Sequence, residues 1–78
     1  MNVRIYDNGG ETLDRYTAVY LDIIEKSPDF FAARGMSEDP YTGIGQWCYA
    51  QNGDHLGREI SIDELPPKAR QLVLSDLA

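Results

Sequence analysis

The sequence predicts an α+β domain: an antiparallel sheet of three to four strands, a C-terminal amphipathic helix packed on one face, and a short helix near 28–34. Three observations carry this prediction. Segment 3–6 alternates along the chain, and segment 15–23 is rich in β-branched and aromatic types, as strands are. Asn52-Gly53 lies between two partly apolar runs, the strongest short-range hairpin signal. Finally, Ala69, Leu72, Val73 and Leu77 recur at three- and four-residue steps and form one helical stripe.

The first strand, Val3-Arg4-Ile5-Tyr6, sets Val3 and Ile5 on one face. Asp7-Asn8-Gly9-Gly10 is a dense turn signal, combining side-chain acceptors with positions that tolerate positive φ. The second strand splits Tyr16, Ala18 and Tyr20 from Thr17, Val19, Leu21 and Ile23. The aliphatic face is expected to be buried and the tyrosine face half exposed. Ser27-Pro28-Asp29 followed by Arg34-Gly35 reads as a capped two-turn helix, or equally a turn of 3₁₀: a side-chain cap, proline at the first position and glycine at the stop. Met36 to Ile44 is a loop by composition. In the expected hairpin, Trp47 opposes Arg58 and Tyr49 opposes Leu56. Trp47, Tyr49, Leu56 and Ile60 then share a core face, while Cys48, Ala50, His55 and Glu59 share the other. The last helix runs from about Pro66 to Leu77, with Lys68, Arg70, Gln71 and Asp76 toward water.

The 78 residues form a single domain, 1–78, near the small end of what folds alone. A homodimer that covers a sheet edge is the expected remedy for so small a core. Hydrophobic residues make up 42% and eight aromatics are present, which argues against disorder. One cysteine and one histidine exclude an internal disulfide and a Cys/His zinc cage. The net charge of −6 disfavours direct nucleic-acid binding, which relies on Lys and Arg against phosphate. It fits a basic protein partner or a mimic of a nucleic-acid surface. The opening residues are a strand pattern rather than a charged-then-apolar leader, and no apolar run spans a membrane, so a cytoplasmic setting is expected.

Five constellations could carry chemistry. In the hairpin register Cys48 and His55 are diagonal neighbours with Glu59 beside them, the sole candidate for a nucleophile, base and orienter. Free cysteine is more often a small hydrophobe, so no catalytic residue is assigned. Gly43-Ile44-Gly45 lacks phosphate-loop spacing, and glycine before a strand more often marks a close backbone approach. The acidic pairs lack calcium-loop spacing, so neither a metal nor a cofactor is expected. Aromatics give the strongest signal, because tyrosine and tryptophan dominate interface anchors. Tyr16, Tyr20 and Tyr41, with Glu38 and Asp39, are therefore the candidate partner-binding residues. Gln46, His55 and Glu59 on the hairpin's other face, joined by Arg15 if the second strand is adjacent, are a candidate polar cluster.

Arg4-Ile5-Tyr6-Asp7-Asn8-Gly9-Gly10, Asp14-Arg15-Tyr16-Thr17, Gly35-Met36-Ser37, Gly45-Gln46, His55-Leu56-Gly57 and Leu65-Pro66, in that order, resemble a family of short, largely uncharacterised proteins carried by bacterial phages and mobile elements. The resemblance spans most of the chain and supplies no activity and no catalytic residues. It implies a bacterial cytoplasm and service to a phage or plasmid. Together with the acidic, aromatic-bearing composition this leads to the expectation of a non-enzymatic protein that binds a host protein, for example as an inhibitor of a defence complex. The alternatives are a small-ligand or nucleotide-related site around His55 and a nucleic-acid mimic.

Overall fold

A computed structural model describes residues 2–25, 29–37 and 45–78, the side chain of Glu25 excepted. The fold is α+β. Among the described residues it has five strands, β1 (Val3–Asp7), β2 (Tyr16–Glu25), β3 (Phe30–Met36), β4 (Gln46–Ala50) and β5 (Arg58–Ile60), and one α-helix, α1 (Pro67–Leu77). The strands form one antiparallel sheet in the order β4-β3-β2-β1-β5. Short 3₁₀ turns occupy Asp54–Leu56 and Ile62–Glu64.

β1 and β2 pair antiparallel, with Ile5 opposite Ala18 and Val3 opposite Tyr20. The loop between them is built by its own side chains. Asp7 Oδ1 accepts from the Gly9 amide at 2.7 Å, and Asn8 Oδ1 accepts from the Gly10 amide at 2.8 Å. Both glycines have positive φ, 79° and 91°.

Where the expected helix at 28–34 falls on described residues it is a strand instead, and its cap residues Ser27 and Pro28 lie outside the described residues. Residues Phe30–Met36 pair with β2 on one side and β4 on the other, which makes β3 an interior strand. The cap-like signals around it are local, worth about 1 kcal/mol each, and two ladders outweigh them. Ala32 and Ala33 are small enough for both covering layers to approach the sheet.

The expected Asn-Gly hairpin does not form. Residues β4 and β5 would have paired, yet they lie on opposite edges of the sheet. Gly53 is extended (φ 160°, ψ 177°), whereas a type I′ turn needs a left-handed residue there. Residues 51–57 instead cross the sheet as a strap, over four inter-strand spacings or about 19 Å. The strap lies on the face opposite the helix, where Tyr6 Oη donates to Asn52 Oδ1 at 2.5 Å. Tyr6, Val19 and Ala33 are buried on that face. Gly57 ends the strap at φ 113°, and a Cβ there would stand 2.3 Å from the Asp7 carbonyl oxygen.

The other face holds the main core. Ile5, Tyr16, Ala18, Tyr20, Ala32, Met36 and Ile60 pack against Leu65, Ala69 and Val73, with Leu72 and Leu77 at the margin. The predicted helical stripe is therefore the stripe that packs. The tyrosine face of β2, expected to be half exposed, is the face that α1 covers: Tyr16 is 6% exposed and Tyr20 is 0%. Val19 is buried as expected, but under the strap. Asp63 and Glu64 belong to a separate 3₁₀ turn, where Glu64 Oε2 accepts from the Ser61 amide at 2.9 Å, and not to the first turn of α1. None of the helices among the described residues is long and apolar enough to cross a membrane.

Candidate functional site

The first feature that stands out is the edge formed by β4. Alternation sends Trp47 and Tyr49 to the helix side and Gln46, Cys48 and Ala50 to the strap side. Trp47 and Tyr49 were expected in the core. They retain 54% and 45% exposure on β4, the outermost strand on that side among the described residues. Phe30 meets Tyr49 edge-to-face, with ring centroids 5.9 Å apart.

Beneath the Trp47 ring sits a polar cluster that supports it. Arg34 grips Asp76 in a fork, Nε to Oδ2 at 2.6 Å and Nη2 to Oδ1 at 2.8 Å. Its Nη1 donates to the Gly45 carbonyl at 3.0 Å. Tyr20 Oη donates to Asp76 Oδ2 at 2.5 Å. The Trp47 ring lies over the Arg34 guanidinium, 4.6 Å from ring centre to Cζ, and 5.5 Å from the Tyr20 ring. Gly45 is the close backbone approach anticipated for a glycine before a strand. A Cβ there would stand 2.7 Å from Arg34 Cδ and 2.9 Å from Leu72.

The electrostatics follow from that packing. Burial raises the Asp76 carboxyl, but the Arg34 guanidinium and the Tyr20 hydroxyl outweigh it and the net shift is downward. Burial first, then the neighbouring carboxylate, push the Tyr20 phenol well up. The bond to Asp76 raises Arg34 still further, so the pair stays charged. Asp76, expected to face water, is instead the anchor of the helix to the sheet.

The predicted site residues fall in different places. Tyr16 and Tyr20 are core residues and offer no free surface, because the helix packs on their face. Tyr41, Glu38 and Asp39 lie outside the described residues. The polar cluster does not assemble. Gln46 is on one edge strand and Glu59 on the other, with three strands between them. Gln46 Nε2 donates to Asp14 Oδ2 at 3.1 Å, and Glu59 meets Arg4 at 3.5 Å. Arg15 is clamped to Asp7, Nε to Oδ1 at 2.8 Å and Nη2 to Oδ2 at 3.1 Å, which holds the Asp7 carboxyl low.

His55 is exposed on the strap. It borders two shallow clefts, one of about 370 Å³ with Asp7, Asp54 and Arg58, the other of about 340 Å³ with Phe31 and Asn52. The register that set Cys48 diagonal to His55 disappears with the hairpin. Burial, the leading influence on the Cys48 thiol, raises its pKa, the opposite of what an activated nucleophile needs. No group of three or more His, Cys, Asp or Glu among the described residues converges as a metal site.

Arg34, Asp76 and the exposure of Trp47 were missed by reading the sequence. Arg34 and Asp76 are 42 positions apart, and no local spacing links them. Trp47 was visible as an aromatic, but its exposure depends on which strand lies outermost. Comparison of the chain with protein-family models, with curated proteins and with solved structures returned no match.

Proposed function

We propose that this chain is a non-enzymatic interaction protein, of phage or mobile-element origin, that docks a host protein along the outer edge of β4. One observation carries the reading: an outermost strand with no charged side chain from Gln46 to Ala50 presents two half-exposed aromatics on a rigid support. An edge strand is a template for an added strand, and natural sheets usually blunt theirs with charge, proline or a bulge. The β5 edge is blunted in that way, being three residues long with Arg58 and Glu59 upon it. Among the described residues no strand pairs with the outer edge of β4, and Trp47 and Tyr49 supply large contact area with few rotors. The phage setting rests on the sequence resemblance, and the acidic balance favours a basic partner segment.

The test is affinity capture from a bacterial host lysate, with wild type compared with Trp47→Arg/Tyr49→Arg and with His55→Ala. The reading expects one protein retained by wild type and by His55→Ala and lost from the double variant, at both low and high salt. Loss with His55→Ala alone would move the site to the strap clefts. Retention that collapses steeply with salt would point to nucleic-acid mimicry. Retention by the double variant would overturn the reading.

A further inference from the structure

Resting on the reading of β4 as a docking strand, we infer that in the absence of a host partner this strand pairs with β4 of a second copy, antiparallel across a two-fold axis at Cys48. Charge, geometry and side-chain chemistry each point to it.

Charge selects the place. Two chains of net charge −6 repel over most of their surfaces, since 20 of 78 residues are charged. The run Gln46 to Gly53 has no charged side chain, so β4 is an edge where two copies meet without like charges opposed. The other edge offers three residues and sets Arg58 and Glu59 in the way.

Geometry selects the register. A five-residue strand pairs with its own two-fold copy over its full length only when the axis passes through the third residue. Cys48 is that residue. Gln46 then opposes the second copy's Ala50, and Trp47 opposes the second copy's Tyr49. Both rings lie on the helix side, so each crossing is an aromatic pair of the kind that stabilises antiparallel ladders. The two-fold axis repeats each contact, so the Trp47–Tyr49 aromatic pair occurs twice, once on each side of Cys48. On the strap side the two Cys48 side chains face each other. Directly opposed residues have Cα atoms about 4.5–5.5 Å apart, inside the roughly 4.4–6.8 Å that a disulfide accepts.

The account thus assigns Cys48 no chemistry of its own, and oxidation serves as a ruler. Diamide takes two protons and two electrons from a pair of thiols and becomes the hydrazine, leaving a disulfide. Three cysteine arrangements are compared at equal concentration: wild type, Cys48→Ser, and Cys48→Ser with Gln46→Cys. In the inferred register two residues at position 46 lie about 13 Å apart along the strand, beyond disulfide reach. Wild type should therefore cross-link at least tenfold faster than the displaced cysteine, and Cys48→Ser not at all. Sedimentation of reduced wild type should show concentration-dependent doubling of the 8.8 kDa chain. Trp47→Arg should abolish both signals. Cys48→Lys sets two like charges across the axis without disturbing the Arg34–Trp47 stack, and should abolish the doubling with the far-UV spectrum unchanged.

A reduced chain that sediments as a monomer up to millimolar concentration overturns the pairing, as does equal cross-linking at positions 46 and 48. These outcomes separate from failure of the docking reading. A monomer that loses its captured partner on Trp47→Arg/Tyr49→Arg leaves docking intact and removes the dimer. A dimer whose capture ignores that double variant does the reverse.

Discussion

Arg34 on the central sheet and Asp76 in the last turn of α1 are joined by two hydrogen bonds, at 2.6 and 2.8 Å, with side chains only 18% and 16% exposed. This fork ties the helix C-terminus to the strand beside β4, and Trp47 rests upon it. Removing one partner leaves the other charge unpaired in a partly desolvated site. Asp76→Ala is expected to lower unfolding stability by about 3 kcal/mol, read as a drop in the urea midpoint. Leu74→Ala, on the exposed side of the same helix, should change it by no more than about 0.5 kcal/mol. Equal effects from the two substitutions would show that the fork is not structural.

Acid stability should depend on Asp7 and Asp76. At Asp7 the Arg15 bond is the largest influence and lowers the pKa, with the Gly9 amide acting in the same direction against burial. At Asp76 burial acts upward and is overcome by Arg34 and Tyr20. A carboxyl whose folded pKa lies below its unfolded value of about 4 contributes stability that is present above that value. The contribution is lost as pH falls through the folded pKa. The urea midpoint should be flat from about pH 5 to 8 and fall below about pH 4. Asp7→Asn/Asp76→Asn should start lower and fall less steeply, and an unchanged acid slope would contradict the assignment.

The two strap glycines should respond in opposite ways. Gly57→Ala forces a side chain into a left-handed position against the Asp7 carbonyl and should cost at least about 2 kcal/mol. Gly53 is extended, and a Cβ there meets only the exposed His55 ring at 3.2 Å. Gly53→Ala should stay within about 0.5 kcal/mol. In a type I′ hairpin Gly53 would be the sensitive position, so thermal melts of the two variants decide between strap and hairpin.

Tyr6→Phe removes the hydroxyl that holds the strap at Asn52 while keeping the buried ring. A loss of about 1 kcal/mol is expected. Faster amide exchange at Leu56 and Gly57, whose N–H groups close the 3₁₀ turn, should accompany it. Unchanged exchange there would mean that the strap is held by other contacts.

What the sequence revealed depended on how local the cause was. The β1 alternation, the Asp7–Gly10 turn and the Ala69–Val73 stripe are set by neighbours within a few residues and formed as read, whereas the β2 alternation holds only to Tyr20, where a register shift brings Ile23 to the tyrosine face. The α+β class followed from them. The segment 30–36 was misread because its helix cues are local while its strand state is imposed by β2 and β4. Asn52-Gly53 was misread because the same dipeptide serves an extended crossing when its flanks find partners elsewhere, Gln46–Ala50 at β3 and Ile60 at Ile5. That error reversed the aromatic assignments. Tyr16 and Tyr20 went into the core and Trp47 and Tyr49 came to the edge, since exposure follows strand order and strand order is not written in any one segment.

The most direct test of β4 as the docking strand is amide hydrogen exchange on the chain alone and with its captured partner, at a concentration below self-association. The account predicts new protection at Gln46 to Ala50, centred on the edge, with Asp54 to Glu59 unchanged. Protection confined to the strap around His55, or none at β4, would contradict it.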